Sequence, residues 1–167
     1  MSNFLINPYR FVVAEQCQSL SDDNTSMFDG TRERVGGKCL SGSSFIGLEV
    51  STAKFYLYWS GSGSGLVYAR VYREGTTEPV HTFGSKNANT INTSPAQEHS
   101  FTGGGNYTIL ENDILCMVSD FGSSGAESIS IRTYYAGGNT DKNFSNMRFD
   151  GSSWTQNNDA STKICLE

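Results

Sequence analysis

From residue 45 to the end of the chain, apolar and polar residues alternate with a period of two, and no segment carries a helical period over two or more turns. That period puts successive side chains on opposite faces of a strand, so it commits this region to β-structure. In residues 53–59, Phe55, Leu57 and Trp59 line one face and Tyr56 and Tyr58 the other. In residues 66–73, Val67, Ala69 and Val71 oppose Tyr68, Arg70 and Tyr72. Joined by the Gly/Ser loop 60–65, these two segments read as a hairpin. Further strands are expected at 45–50, 79–83, 98–102, 107–110, 114–118, 127–135, 144–150 and 162–166. Residues 114–118, apolar on both faces, belong at the centre of a sheet. The Asn and Pro residues of 85–96 predict a long loop, Gly103-Gly104-Gly105 a break, and 151–159 a turn region. About eight antiparallel strands at hairpin spacing describe a β-sandwich or barrel. The segment ahead of them differs: residues 9–18 read as an extra strand or extended arm and 21–30 as loop, which divides the chain into an arm and loop (1–34) and an all-β domain (35–167).

Composition agrees. Charged residues make up 17% of the 167 positions, below the usual quarter, while Gly alone supplies 18. A helix bundle needs more Ala, Leu, Glu and Lys; a disordered chain has fewer aromatics than the 12% found here. The formal charge of -5 removes the attraction on which non-specific nucleic-acid or anionic-membrane binding depends, so neither is an expected partner. The opening residues, Met1 to Arg10, have neither a basic start nor an apolar stretch long enough for a signal peptide, which predicts synthesis in the cytoplasm without Sec export. Cys17, Cys39, Cys116 and Cys165 form no CxxC pair, so zinc has no local support. Cys116 reads as a buried thiol, and Cys17 and Cys39, which flank the same N-terminal loop, are the pair considered for a disulfide.

Few residues point to chemistry. His81 and His99 are the only histidines, and no Ser, Cys or carboxylate sits in a nucleophile or zincin motif, so no catalytic residue is assigned. Glu98 and His99 are adjacent on a strand and point to opposite faces, which prevents them from acting as an acid–base pair. No cofactor is expected; the oxygen-rich loops Asp22-Asp23-Asn24 and Asn157-Asn158-Asp159 leave room for a structural calcium ion but lack EF-hand spacing. Gly61-Ser62-Gly63-Ser64-Gly65 precedes no helix or Lys and reads as a flexible loop rather than a phosphate cradle. Sequons stand at Asn24, Asn92, Asn106 and Asn143. The aromatics Tyr56, Tyr58, Tyr68, Tyr72, Tyr134 and Trp154 are candidates either for stacking on sugar rings or for a protein interface.

From Val35 onward the order of features resembles a family of single-domain jelly-roll sandwiches found in viral structural proteins and in carbohydrate-binding-like surface domains. The matching stretches are Phe45-Ile46-Gly47-Leu48-Glu49-Val50, the strand Leu66-Val67-Tyr68-Ala69-Arg70-Val71-Tyr72, the pair of strands from Asn106 to Val118, and the turn Asp150-Gly151-Ser152-Ser153-Trp154-Thr155. The opening Asn3-Phe4-Leu5-Ile6-Asn7-Pro8-Tyr9-Arg10-Phe11 is similar to the start of virion proteins of phages and archaeal viruses. The resemblance implies an all-β fold, a single jelly-roll β-sandwich of about eight antiparallel strands with an extended N-terminal arm. It further implies a non-enzymatic virion structural protein, a capsid decoration or fibre-like subunit on the virion surface. Such a subunit forms a homo-oligomer or joins a major capsid or other virion protein, with Phe4, Leu5, Ile6, Tyr9 and Phe11 as the assembly arm. The alternative is a carbohydrate-binding module that recognises host or cell-surface glycans.

Overall fold

A computed structural model describes residues 16–17, 24–28, 34–60, 65–93, 95–120, 128–135, 143–157 and 160–167. They form β1 (Gln16–Cys17), β2 (Asn24–Phe28), β3 (Arg34–Cys39), β4 (Glu49–Ser60), β5 (Leu66–Arg73), β6 (His81–Asn87), a 3-10 turn (Ala88–Thr90), β7 (Gln97–Thr108), β8 (Asp113–Ser119), β9 (Ser128–Tyr135), β10 (Phe144–Phe149), β11 (Trp154–Asn157), β12 (Ala160–Thr162) and β13 (Ile164–Leu166). The fold is all-β in two antiparallel sheets. Sheet I runs β1-β13-β4-β9-β12, with β7 on β4 and β2 on β9; sheet II runs β11-β10-β3-β8-β5-β6.

The alternation read from the sequence becomes burial. Ala53, Phe55, Leu57 and Trp59 of β4 are buried and join Val67, Ala69 and Val71 of β5, so one core takes side chains from both sheets. Phe101 of β7 and Leu166 of β13 lie opposite Ala53 on either side of β4, and Phe101 meets Phe55 edge-on with ring centroids 6.2 Å apart. Each large side chain sealed in this way is worth roughly 1.5–3 kcal/mol. β8 is central, between β3 and β5, and buried on both faces as its composition predicts. Leu115 and Met117 enter the shared core, whereas Ile114, Cys116 and Val118 enter a second cluster with Tyr72 and Met147. Trp154 packs against that second cluster: β11 and β5 are four steps apart in the pairing order, yet the Trp154 and Tyr72 rings lie 5.9 Å apart.

Several expectations are corrected. β4 and β5 are not a hairpin, because they belong to different sheets. Residues 45–48 form turns, with Ile46 N–H donating to Ser43 O and Leu48 N–H to Phe45 O, while Phe45 itself packs on Phe144. Residues 24–28 and 154–157, read as loop and turn, are strands, and β6 extends into the expected loop as far as Asn87. The expected break at Gly103-Gly104-Gly105 is found within β7: Thr102 pairs with Thr52 and Tyr107 with Val50 of β4, so residues 103–106 bulge out of the ladder opposite Ser51. Gly103 and Gly105 take positive φ values of 109° and 82°, and between them Gly104 lies so close to β6 that a Cβ would collide with the Thr82 carbonyl. Gly84 meets the Thr102 backbone in the same way, with 2.5 Å from a built Cβ to the carbonyl oxygen. β6 is the outermost strand of sheet II and β7 of sheet I, so these glycines form the corner at which the two sheets touch.

The cysteine pairing also differs. Cys17 is bonded to Cys165, not to Cys39; the two stand directly opposite each other on β1 and β13, with Cα atoms 4.1 Å apart. Cys39 and Cys116 are buried thiols on neighbouring strands, and burial raises the Cys116 pKa.

Candidate functional site

Two turns that are far apart in sequence meet at one end of sheet II. β5 ends at Arg73 in a tight turn in which Thr76 N–H and Oγ1 both donate to Arg73 O, at 3.0 and 2.8 Å, and Gly75 supplies the positive φ of 83°. From β3, the buried Lys38 reaches across to pair with Glu74 of this turn. The second turn joins β10 to β11, closed by the Phe149–Trp154 backbone pair. Its centre is Asp150, whose Oδ1 accepts from Ser153 N–H at 2.8 Å and from Ser152 N–H at 2.9 Å and Oγ at 2.8 Å. These donors, the backbone N–H of Ser153 first, hold the Asp150 carboxyl at a pKa of about 2.

Between the turns lies an open cleft of about 260 Å³ lined by Glu74, Gly75, Thr76, Thr77, Phe149, Ser152, Ser153 and Trp154. Its apolar side is Trp154, half-buried, with Phe149 at 5.1 Å and Tyr72 at 5.9 Å between ring centroids. The Arg34 guanidinium lies among these rings, its Cζ 4.2 Å from the Tyr72 ring centre, 4.3 Å from Phe149 and 5.9 Å from Trp154. Two buried donors here, Trp154 Nε1 and Arg34 Nη1, have no hydrogen-bond partner. Burial raises the Tyr72 hydroxyl pKa. The cleft therefore combines a fixed aromatic wall with hydroxyls and one carboxylate, a surface suited to a small molecule with one apolar face and polar edges.

A second polar cluster is enclosed. Asp113, fully buried at the start of β8, accepts from Tyr107 Oη and Leu110 N–H, each at 2.8 Å, and from Arg73 Nε at 3.4 Å. Burial and this bond push the Tyr107 pKa up to about 12. The cluster ties the turn between β7 and β8 to the end of β5. His81 stacks on Tyr107 at 4.9 Å, and burial lowers the pKa of both His81 and His99. Glu98 is exposed and His99 buried, on opposite faces of β7.

The aromatics singled out from sequence do not share one surface. Tyr56 and Tyr58 are half-buried on the face of sheet I turned away from the shared core, where Lys163 Nζ sits 3.7 Å from the Tyr56 ring centre. Tyr68, half-buried, lies beneath Arg70 on sheet II. Tyr72 is 1% exposed, so it supports the cleft from behind instead of presenting a free ring. Trp154 stands in a strand and not a loop, and among the described side chains of the six it alone lines the cleft. Tyr134 lies in β9, where its backbone pairs with Ser161; its side chain, the arm residues Phe4, Leu5, Ile6, Tyr9 and Phe11, and the oxygen ligands Asp22, Asp23, Asn158 and Asp159 lie outside the described residues. Among the described residues, no group of three or more His, Cys, Asp or Glu side chains is placed to hold a metal ion. Sequence reasoning missed Glu74, Thr76, Thr77, Ser152 and Ser153 as cleft residues. Each reads as turn chemistry, and only the pairing of β3, β8 and β10 brings the two turns together. No protein-family model, curated protein or solved structure matches the chain.

Proposed function

We propose that this chain is a non-enzymatic structural subunit of the outer surface of a virus particle, a jelly-roll β-sandwich that assembles with further copies, or with another virion protein, through its N-terminal arm. The observation that favours this reading is the Cys17–Cys165 bridge. Residues 1–15 continue from a strand that is covalently fixed to β13, and β13 is hydrogen-bonded to β4, the longest strand of sheet I together with β7. A pull on the arm is thus carried into the sheet through a sulfur–sulfur bond instead of two backbone pairs. Phe4, Leu5, Ile6, Tyr9 and Phe11 each offer roughly 1.5–3 kcal/mol on full burial against a neighbour, before ordering costs. Repetition over a symmetric particle multiplies such gains. Size-exclusion chromatography with light scattering tests the reading: the full chain forms a trimer or larger closed assembly, and a chain lacking residues 1–11 stays folded but monomeric. Normal assembly by the truncated chain rejects the role given to the arm.

A second reading, a carbohydrate-binding module, is favoured by the Trp154 cleft. It predicts a monomer that retains glycans. Tyr56→Ala and Tyr58→Ala test the sheet I face, and loss of retention there with an unchanged melting temperature places the contact on that face. Trp154→Ala is a poorer probe, because it also removes packing from Phe149 and Tyr72.

A further inference from the structure

We infer that the cleft between the Glu74–Thr77 turn and the Ser152–Trp154 turn is a site for a single uncharged sugar ring, stacked on the Trp154 indole. The inference rests on the carbohydrate reading and gives it a location and a ligand class. Volume sets the size: about 260 Å³ lies just under the roughly 300 Å³ at which drug-sized sites begin, so the cleft takes one ring and not a chain. Rigidity favours stacking. Trp154 is backed by Phe149, Tyr72 and the Arg34 guanidinium, so little side-chain freedom remains to be lost when a ring docks.

The polar rim selects hydroxyl donors. Thr76 Oγ1 already donates to Arg73 O and accepts from Arg73 N–H, and Ser152 Oγ already donates to the Asp150 carboxylate, which leaves one lone pair on Thr76 and those of Ser152 as acceptors. Thr77 is exposed at the rim and Glu74 adds a carboxylate. Glu74 is the charged residue of the cleft lining, with Lys38 buried against it; Asp150 is exposed in the adjoining turn, Arg34 lies among the rings, and the half-exposed Arg73 is held to Asp113. An anionic sugar therefore meets like charge at the mouth, and a neutral one does not.

The chain has two tryptophans, and they make the test selective. Trp59 is 5% exposed in the shared core and serves as the internal control. In ¹H–¹⁵N spectra of the full-length protein, titration with methyl glucoside, methyl galactoside or N-acetylglucosamine moves the Trp154 indole N–H resonance saturably and leaves that of Trp59 in place. Glucuronate binds about tenfold more weakly than methyl glucoside, and Thr77→Val weakens the best neutral sugar about threefold, both through loss of rim complementarity. A Trp154 resonance that stays still with every neutral sugar up to on the order of 0.1 M overturns the site. Glucuronate binding as tightly as the neutral sugars overturns the ligand class. Glycan-array retention by the same protein separates the two levels: retention with a silent Trp154 removes the cleft assignment and keeps the carbohydrate reading, whereas no retention and no shift removes both.

Discussion

Removing the Cys17–Cys165 bridge is the perturbation with the largest expected effect on stability. The bridged residues are 148 positions apart, so the closed loop takes in nearly the whole chain. In the chain-entropy account, a loop of that length withholds about 5 kcal/mol of conformational freedom from the unfolded state at 25 °C. The native state loses little in exchange, because β1 has only two residues and β13 keeps its pairing with β4. The double variant Cys17→Ser/Cys165→Ser is therefore expected to lose most of that figure. With a guanidinium m-value of about 4 kcal/mol/M, the midpoint falls by about 1 M, and the melting temperature drops by about 10–20 °C. Fluorescence of the buried Trp59 follows the transition, and the oxidised parent treated with reductant should match the variant. A thiol count provides the control: no thiol reacts in the native oxidised protein, and two, Cys39 and Cys116, react once it is denatured without reductant. Four reactive thiols in that denatured sample would mean that the bridge is absent. A confirmed bridge whose removal moves the midpoint by less than about 0.3 M would refute the unfolded-state entropy argument itself.

Three further outcomes follow from the packing and the titrating groups. Gly104→Ala drives a methyl group into the Thr82 carbonyl and costs about 1–3 kcal/mol in a denaturant melt; a neutral result would mean that β6 and β7 are not in backbone contact. Asp113→Ala strands the Tyr107 hydroxyl and the Leu110 N–H and costs about 3 kcal/mol, whereas Asp113→Asn keeps one acceptor oxygen and loses less; equal losses would contradict the bonding described. The depressed Asp150 carboxyl adds stability above its ordinary value of 3.8, and this is lost as pH falls through about 2, so a carboxyl ¹³C titration should have its midpoint near 2 and not near 3.8. His81 and His99 act in the same direction at milder pH: burial lowers their pKa values, so their neutral forms are favoured in the fold and the denaturant midpoint declines as pH drops below 6.5. A midpoint that is flat from pH 7 to 5 would count against their burial.

Much of the β-structure was legible because alternation is a local property. The segments 66–73, 114–118 and 144–150 match β5, β8 and β10 to within a residue or two. What alternation does not carry is sheet membership, which is why two adjacent alternating segments, β4 and β5, read as a hairpin although they lie in opposite sheets. The glycine run was legible as an interruption, since the β4–β7 register breaks between Thr102 and Tyr107; what it did not reveal is that Gly104 sits where the β6 backbone occupies the space that a side chain would need. The Cys17–Cys165 pairing joins the two ends of the described chain, a long-range contact without a local signature. Of the cleft, Trp154 was legible as an aromatic in a polar stretch. Tyr72 was legible as a candidate aromatic too, but its place behind Trp154, and that of Arg34, were not, because their strands are distant in sequence and not adjacent to β11 in the sheet.

The glycine corner also bears on how the protein behaves when crowded. β6 pairs only with β5 and β7 only with β4, and at seven and twelve residues they are the longest terminal strands of the two sheets among the described residues. Unpaired strand edges of that length are templates for aggregation, since any extended chain can add to them through backbone hydrogen bonds. Gly84 and Gly104 let each edge press against the other, so neither is offered to a newcomer over the stretch where they touch. The other terminal strands among the described residues, β1, β2, β11 and β12, are two to five residues long and too short to seed such growth. Side chains, not open backbone, are then left to decide which neighbours this molecule accepts, and that choice can be specific.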